Sequence, residues 1–260
     1  MLKEIVIAFQ SYAKAHRFIM KNKLWKWILI PGLLYMILFM VSMYYFGQTA
    51  SHVVNHLIDS TGLRGWEERI HHRWISFLFL FLFGTLWVLL MFFYFSLFKY
   101  IFLIVGSPVF AYLSEKTESI MEGKNFPFSF AQLGKDIFRG IKIAIRNSLW
   151  QTVYSIAILL LVFVPLIGWA APVLSLFVEC YYYGFSMLDY SCERHKLSPV
   201  QSIHFIGNHK GLAIGNGFVF YIMHIIPFVG WVLAPSYAIV AATISLYGTK
   251  SKDNEIIDNG

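Results

Sequence analysis

The sequence predicts an all-α integral membrane protein with two long transmembrane helices, two helical hairpins tipped by Pro and Gly (re-entrant or short spanning), and amphipathic surface helices. Three observations predict it. Hydrophobic residues make up 58% of the 260-residue chain and charged residues 13%, where a soluble domain is about one quarter charged. Two apolar runs, 25–46 and 74–105, are each long enough to cross a bilayer. Two later apolar blocks carry one repeated interruption, "VPLIGWAAP" at 164–172 and "IPFVGWVLAP" at 226–235.

Residues 1–24 form an amphipathic arm. Leu2, Ile5, Phe9, Ala13 and His16 share one helical stripe, and Lys3, Lys14, Arg17 and Lys21 lie mostly elsewhere. Such a helix lies on the membrane surface or, equally, packs on the protein itself. The first span, 25–46, has Trp25, Trp27, Tyr44 and Tyr45 at its ends, where interfacial aromatics belong. Pro31 sits in its first turns, where a missing N–H costs little. "YFGQTA" places Gln48 where a cleavage site needs a small residue, so this span is expected to stay in the mature protein.

The polar connection 47–73 holds His52, His56, His71 and His72 with Arg64, Arg69 and Arg73. His52 and His56 are four apart, within reach of one metal, but a solvated polar helix is the favoured reading and no metal site is expected. The second run has no charge from Trp74 to Phe98, then Lys99. At 32 residues it tilts or extends beyond the bilayer. "GSP" at 106–108 is expected to end it, with Gly106 as the cap and Pro108 opening the next helix, which carries Glu115.

Cytoplasmic helices are expected over 109–146. Ser129 and Gln132 form a capping-box pattern. Phe130, Leu133, Ile137, Ile141 and Ile145 then share a stripe flanked by Lys135, Arg139, Lys142 and Arg146.

The hairpins occupy 149–190 and 212–248, and the polar tail 250–260 reads as disordered. The second hairpin's clearly apolar first arm is Phe218–Ile226, which as helix spans only ~14 Å against a ~30 Å core. That hairpin is expected to turn back before crossing. Backbone freed by Pro and Gly needs partners that lipid cannot supply. Two matching interruptions, at Pro165, Gly168, Pro172 and at Pro227, Gly230, Pro235, therefore point to a transport pathway. The plainer alternative is a tight turn anchored at the interface by Trp169 and Trp231.

Two ionisable residues lie inside the apolar blocks, Glu179 and His224, and are functional candidates; the competing role is helix–helix hydrogen bonding. No nucleophile elbow, phosphate loop, zinc-protease or dinucleotide motif occurs, so neither an enzyme nor a cofactor is expected. Cys180 and Cys192 read as free thiols. The net charge of +7 comes from basic residues flanking apolar segments, which suits an anionic leaflet and not nucleic acid. Lys and Arg are denser before residue 27 and over 115–146 than in the 47–73 connection, which places both termini in the cytoplasm.

The order of "GSPVFAYLSEKTE", "VPLIGWAAPVL", "SMLDYSCERHKLS" and "IPFVGWVLAP" followed by "AATISLY" resembles the family of the sulfate permease CysZ, which shares a domain with the eukaryotic etoposide-induced transmembrane protein. The most specific piece is Asp189-Tyr190 with His195-Lys196. The resemblance covers roughly residues 10–248 and implies a bacterial inner-membrane protein, homo-oligomeric, that passes sulfate toward cysteine synthesis. It also implies that both hairpins penetrate only partly. Family members carry G-[IL]-R-R before the first span, associated with sulfate. Here that segment is Lys23-Leu24-Trp25-Lys26. Lys23 and Lys26 are three apart and can face one anion, without the bidentate geometry of guanidinium. The competing function is a non-transporting scaffold or lipid-organising membrane protein.

Overall fold

The structure, a computed structural model of the chain, describes residues 1–60, 73–123, 130–162, 164, 167–195 and 197–258. Its helices are α1 (Leu2–Lys21), α2 (Trp25–Ser60), α3 (Arg73–Glu122), α4 (Phe130–Leu161), α5 (Ala171–Arg194), α6 (Pro199–Asn208), α7 (Lys210–His224) and α8 (Val229–Asp258), with a single 3-10 turn at Gly168–Ala170. No strand occurs among the described residues. Among the described residues three segments are long and apolar enough to cross a membrane, Trp25–His56, Phe83–Glu122 and Val229–Gly248. The last arm of the second hairpin thus joins the two expected spans on length and composition.

The helices run longer than the sequence suggested. Helix α2 continues beyond the apolar run, through the exposed His52 and His56 to Ser60. "GSP" does not end the second run: α3 passes through Gly106 and Pro108 to Glu122. Pro108 has no N–H for the Ile104 carbonyl, and the Ser107 hydroxyl donates to that carbonyl at 2.9 Å instead. Gly106 is kept small by Phe110, whose ring lies 2.6 Å from where a Cβ would stand. Residues 109–122 of the expected cytoplasmic stretch lie in α3, and residues 130–146 run without a break into the first arm of hairpin one as α4. Pro235 does not close the second turn; it lies inside α8. That helix also carries residues 250–258, so the stretch expected to be a disordered tail has helical backbone up to Asp258. Ser129, Pro165 and Lys196 lie outside the described residues.

The first part of α8 is the centre of the bundle. Ala234, Ala238, Ala241 and Ala242 are fully buried, and their small side chains let α1, α2, α3, α5 and α7 pack around it. The arm α1 docks on α7 and α8 rather than standing apart. Its inward face is Ala8, Ser11, Tyr12, Ala15 and Ile19, not the Leu2–Phe9 stripe, whose Leu2 and Phe9 stay exposed. Small residues on the inward face permit close approach. Polar bonds then fix the register. The Tyr12 hydroxyl donates to the Asn216 carbonyl at 2.9 Å, His16 Nδ1 and the Tyr237 hydroxyl share a hydrogen bond of 2.8 Å, and the Gly211 N–H donates to Glu4 at 2.9 Å.

Lipid-facing stripes follow helical spacing. Leu149, Val153, Ile156 and Leu160 are exposed on α4, and Ile30, Leu33, Ile37, Met40 and Tyr44 on α2. Contiguous apolar surface of this kind needs a partner other than water.

The α1–α2 turn closes with Lys23 at φ 53° while the Leu24 N–H donates to the Ile19 carbonyl at 3.2 Å. This is a Schellman cap with its left-handed residue at Lys23, and Ile19 and Leu24 are buried in one core cluster. Glycine takes this left-handed backbone without strain. Left-handed geometry costs an L-residue roughly 1–2 kcal/mol, so Lys23→Gly is expected to raise stability by about 1 kcal/mol, read as a higher melting temperature of the purified protein. A lower melting temperature would mean that Lys23 makes a stabilising contact that outweighs the strain.

Candidate functional site

Four helices converge on Glu179. The carboxylate lies on α5 and is 2% exposed, and Lys99 on α3 is 4% exposed. Lys99 Nζ donates to Glu179 Oε2 at 2.8 Å, and the Tyr221 hydroxyl of α7 donates to the same oxygen at 2.8 Å. Gln151 Nε2 of α4 donates to Oε1, and the Tyr100 hydroxyl donates to Gln151 Oε1 at 2.7 Å. Taking two charges out of water costs several kcal/mol each, and only such complete hydrogen bonding offsets it.

The local sequence explains how the donors arrive. Helices α5 and α7 touch backbone to backbone: a Cβ on Gly217 would lie 2.0 Å from the Cys180 carbonyl oxygen, and a Cβ on Gly184 would lie 1.9 Å from that of Ala213. Tyr221 stands one turn after Gly217, and Glu179 precedes Cys180. The glycine crossing therefore delivers the tyrosine hydroxyl to the carboxylate.

A cavity of about 330 Å³ opens beside the pair, its wall including Tyr35, Phe95, Lys99, Phe220, Tyr221 and His224. His224 packs edge-on against Phe39 at 4.6 Å and stacks near Phe220 at 5.4 Å. Its Nδ1 is buried without a hydrogen-bond partner among the described residues. The cavity combines aromatic walls with the Lys99 ammonium, two phenols (Tyr35 and Tyr221) and one imidazole. Among the described residues no cluster suited to a metal occurs.

Of the residues singled out from sequence, Glu179 and His224 come to this one region. Sequence reasoning missed Lys99, Gln151, Tyr100 and Tyr221 as members. Lys99 was visible as the first charge after 74–98, but it reads as the marker of a span's end. The other three carry no linear signal, because their role depends on which helices meet.

Among the described residues the hairpin tips, 164–172 and 226–235, carry no charged side chain. At the first, the Gly168 N–H donates to the Val164 carbonyl at 3.0 Å, and the exposed Trp169 ring lies 4.5 Å from Phe81. Pro172 occupies the first turn of α5. At the second, which contains Pro227, Phe228 takes φ 58°, the Gly230 N–H donates to Ile226 at 2.9 Å, and Trp231 Nε1 donates to the His224 carbonyl at 3.0 Å. Gly230 has no room for a Cβ, which would lie 1.9 Å from the Met223 carbonyl oxygen.

The Asp189-Tyr190 pattern anchors the bundle's other end. Asp189 Oδ1 accepts from Arg139 Nη2 at 3.0 Å and from the Ser202 hydroxyl at 2.5 Å, tying α4, α5 and α6 together. Burial opposes the Arg139 charge, yet hydrogen bonding and attraction from Asp189 prevail and raise its pKa. The Tyr190 hydroxyl donates to the Leu103 carbonyl at 3.2 Å, and His195 Nδ1 lies 3.5 Å from Glu118. Ser198 and Gln201 cap α6 reciprocally. Glu115 is half-buried on α3. Lys23 and Lys26 are exposed at the α1–α2 turn, outside the Glu179 network. Cys180 is a free, buried thiol, and Cys192 is buried.

Residues 11–235 match the family described as sulfate transporter CysZ/etoposide-induced protein 2.4. Over 237 residues the chain is 26% identical to the sulfate transporter CysZ of Pseudomonas aeruginosa (strain LESB58), covering 90% of this chain and 92% of that protein. It is 24% identical over 229 residues to the protein of the same name from Pseudomonas fluorescens (strain Pf0-1), covering 87% of each. With that of Pectobacterium atrosepticum the identity is 28% over 173 residues, 66% of this chain and 62% of the relative.

Proposed function

The chain belongs to the sulfate transporter CysZ/etoposide-induced protein 2.4 family, and from that premise we propose that this multi-pass membrane protein is a permease for a small inorganic anion, sulfate, supplying sulfur assimilation. The observation that carries the reading is the buried Lys99–Glu179 pair beside an aromatic cavity. Glu179 acts as a resident anion. All three donors around it, Lys99, Tyr221 and Gln151, are donors that an oxyanion can also use. An anion entering the cavity exchanges with the carboxylate for these donors, so the Lys99 charge stays compensated in a low-dielectric site throughout. The cost of isolating Lys99 keeps the site closed when no anion is present. Lys23 and Lys26 attract the anion at the end of the first span. The protein sits in a bacterial inner membrane as a homo-oligomer with both termini in the cytoplasm, and the two hairpins turn within the membrane.

Uptake of labelled sulfate into proteoliposomes tests the reading. Wild-type protein is expected to exceed empty vesicles. The folded double variant Lys99→Met/Glu179→Gln is expected to lose about tenfold or more in rate, equivalent to ~1.4 kcal/mol or more. No wild-type uptake over a range of pH and anions would sink the permease reading and favour a lipid-organising scaffold.

A further inference from the structure

We propose that the open groove between α4, α5 and the start of α7 binds the phosphate of an anionic phospholipid. The groove holds about 470 Å³, and its lining includes Arg146, Trp150, Tyr154, Tyr181, Tyr182 and Lys210. It is separate from the Glu179 cavity, and the inference does not rest on transport.

Three observations identify the ligand. First, the two cations have no carboxylate partner among the described residues. The Arg146 guanidinium donates to Asn147 Oδ1 at 2.9 Å and lies over the Phe185 ring at 5.5 Å, which leaves most of its N–H donors open toward the groove. Lys210 is exposed, and its ammonium makes no hydrogen bond among the described residues. Second, both cations stand where charge stops. Arg146 is the last charged residue of α4 before the uncharged run to Leu161, and Lys210 opens α7 before the uncharged run to Met223. That is the level at which lipid headgroups meet basic side chains. Third, exposed apolar side chains flank the groove: Leu149 and Val153 on α4, and Phe177 on α5. A phosphodiester joined to acyl chains uses both parts, with its phosphate on Arg146 and Lys210, its glycerol near the tyrosine hydroxyls, and its chains along the apolar flank. A free inorganic anion would leave that flank idle.

The experiment compares phosphatidylglycerol with phosphatidylcholine of the same chain length, bound to the full chain in neutral detergent and counted by native mass spectrometry. Wild type is expected to prefer phosphatidylglycerol. Each lost cation should weaken that lipid by roughly 5-fold, about 1 kcal/mol, and Arg146→Gln/Lys210→Gln by roughly 20-fold. Arg146→Lys should keep most of the affinity. Lys135→Gln/Lys142→Gln, at a different groove on α4, should change nothing. Equal binding by wild type and the double variant overturns the proposal. So does a result in which inorganic phosphate or sulfate binds through Arg146 and Lys210 while phosphatidylglycerol gains nothing over phosphatidylcholine. If the double variant loses its wild-type elution and melting behaviour, Lys210→Gln alone carries the test, since Lys210 holds no other group in place.

Discussion

Glu179→Ala is expected to destabilise the purified protein by about 3–5 kcal/mol, the range for breaking one side of a buried ion pair. The loss has three parts. Lys99 is left charged and 4% exposed without a counter-ion. The Tyr221 hydroxyl and Gln151 amide lose their acceptor, and an unsatisfied buried donor costs about 1–3 kcal/mol. Lys99→Met/Glu179→Gln should recover most of the stability, because Gln retains an acceptor for Tyr221 and Met fills the space of the lysine stem. Melting followed by tryptophan fluorescence in detergent reads both. A double variant no more stable than Glu179→Ala would mean that the pair contributes net stability. A double variant that is stable but does not take up sulfate would assign the pair to transport, because the fold would be intact without it.

Gly217→Leu is expected to abolish recovery of a monodisperse protein. A Cβ at this position meets the Cys180 carbonyl oxygen at 2.0 Å and its carbon at 2.6 Å. The obstacle is backbone, so no rotamer relieves it and α5 and α7 must separate. Ordinary overpacking costs about 1–3 kcal/mol; separating the helices adds the loss of their packing and withdraws Tyr221 from Glu179. Gly217→Ala should show a milder form of the same defect. Gly47→Ala is the matched control, since nothing lies within 4 Å of its added Cβ, and removing a helix-interior glycine gains roughly 0.5–1 kcal/mol. Size-exclusion chromatography after solubilisation reads all three. A monodisperse, wild-type-like peak for Gly217→Leu would refute the close crossing.

Much of the fold was legible along the chain. Apolar runs marked α2 and α3, interfacial aromatics marked the first of them, and the paired "GW" turns marked both hairpins, because these signals act over a few residues. Boundaries were legible only in part. Gly106, Pro108 and Pro235 read as stops, since the local rule is that Pro removes an N–H. The Ser107 hydroxyl meets the carbonyl left over at Pro108. The glycines of 211–217 precede the clearly apolar arm, and nothing in the linear pattern shows their role. In the bundle they are contact surfaces, Gly215 against Ala8 and Ile5 and Gly217 against Cys180.

Composition settled the solvent: a chain with this little charge needs lipid around it. Local pattern settled where helices form and where they turn, and it marked Glu179 and His224 as ionisable groups in apolar surroundings. Which groups those two meet was decided in three dimensions. Lys99 and Glu179 are 80 positions apart, and Tyr221 and Glu179 are 42 apart. Their meeting depends on how closely two helices approach, and that distance is set by side chains as small as a glycine hydrogen. Helix periodicity is a property of one segment. A buried ion pair belongs to several segments at once, and so it forms only when the bundle closes.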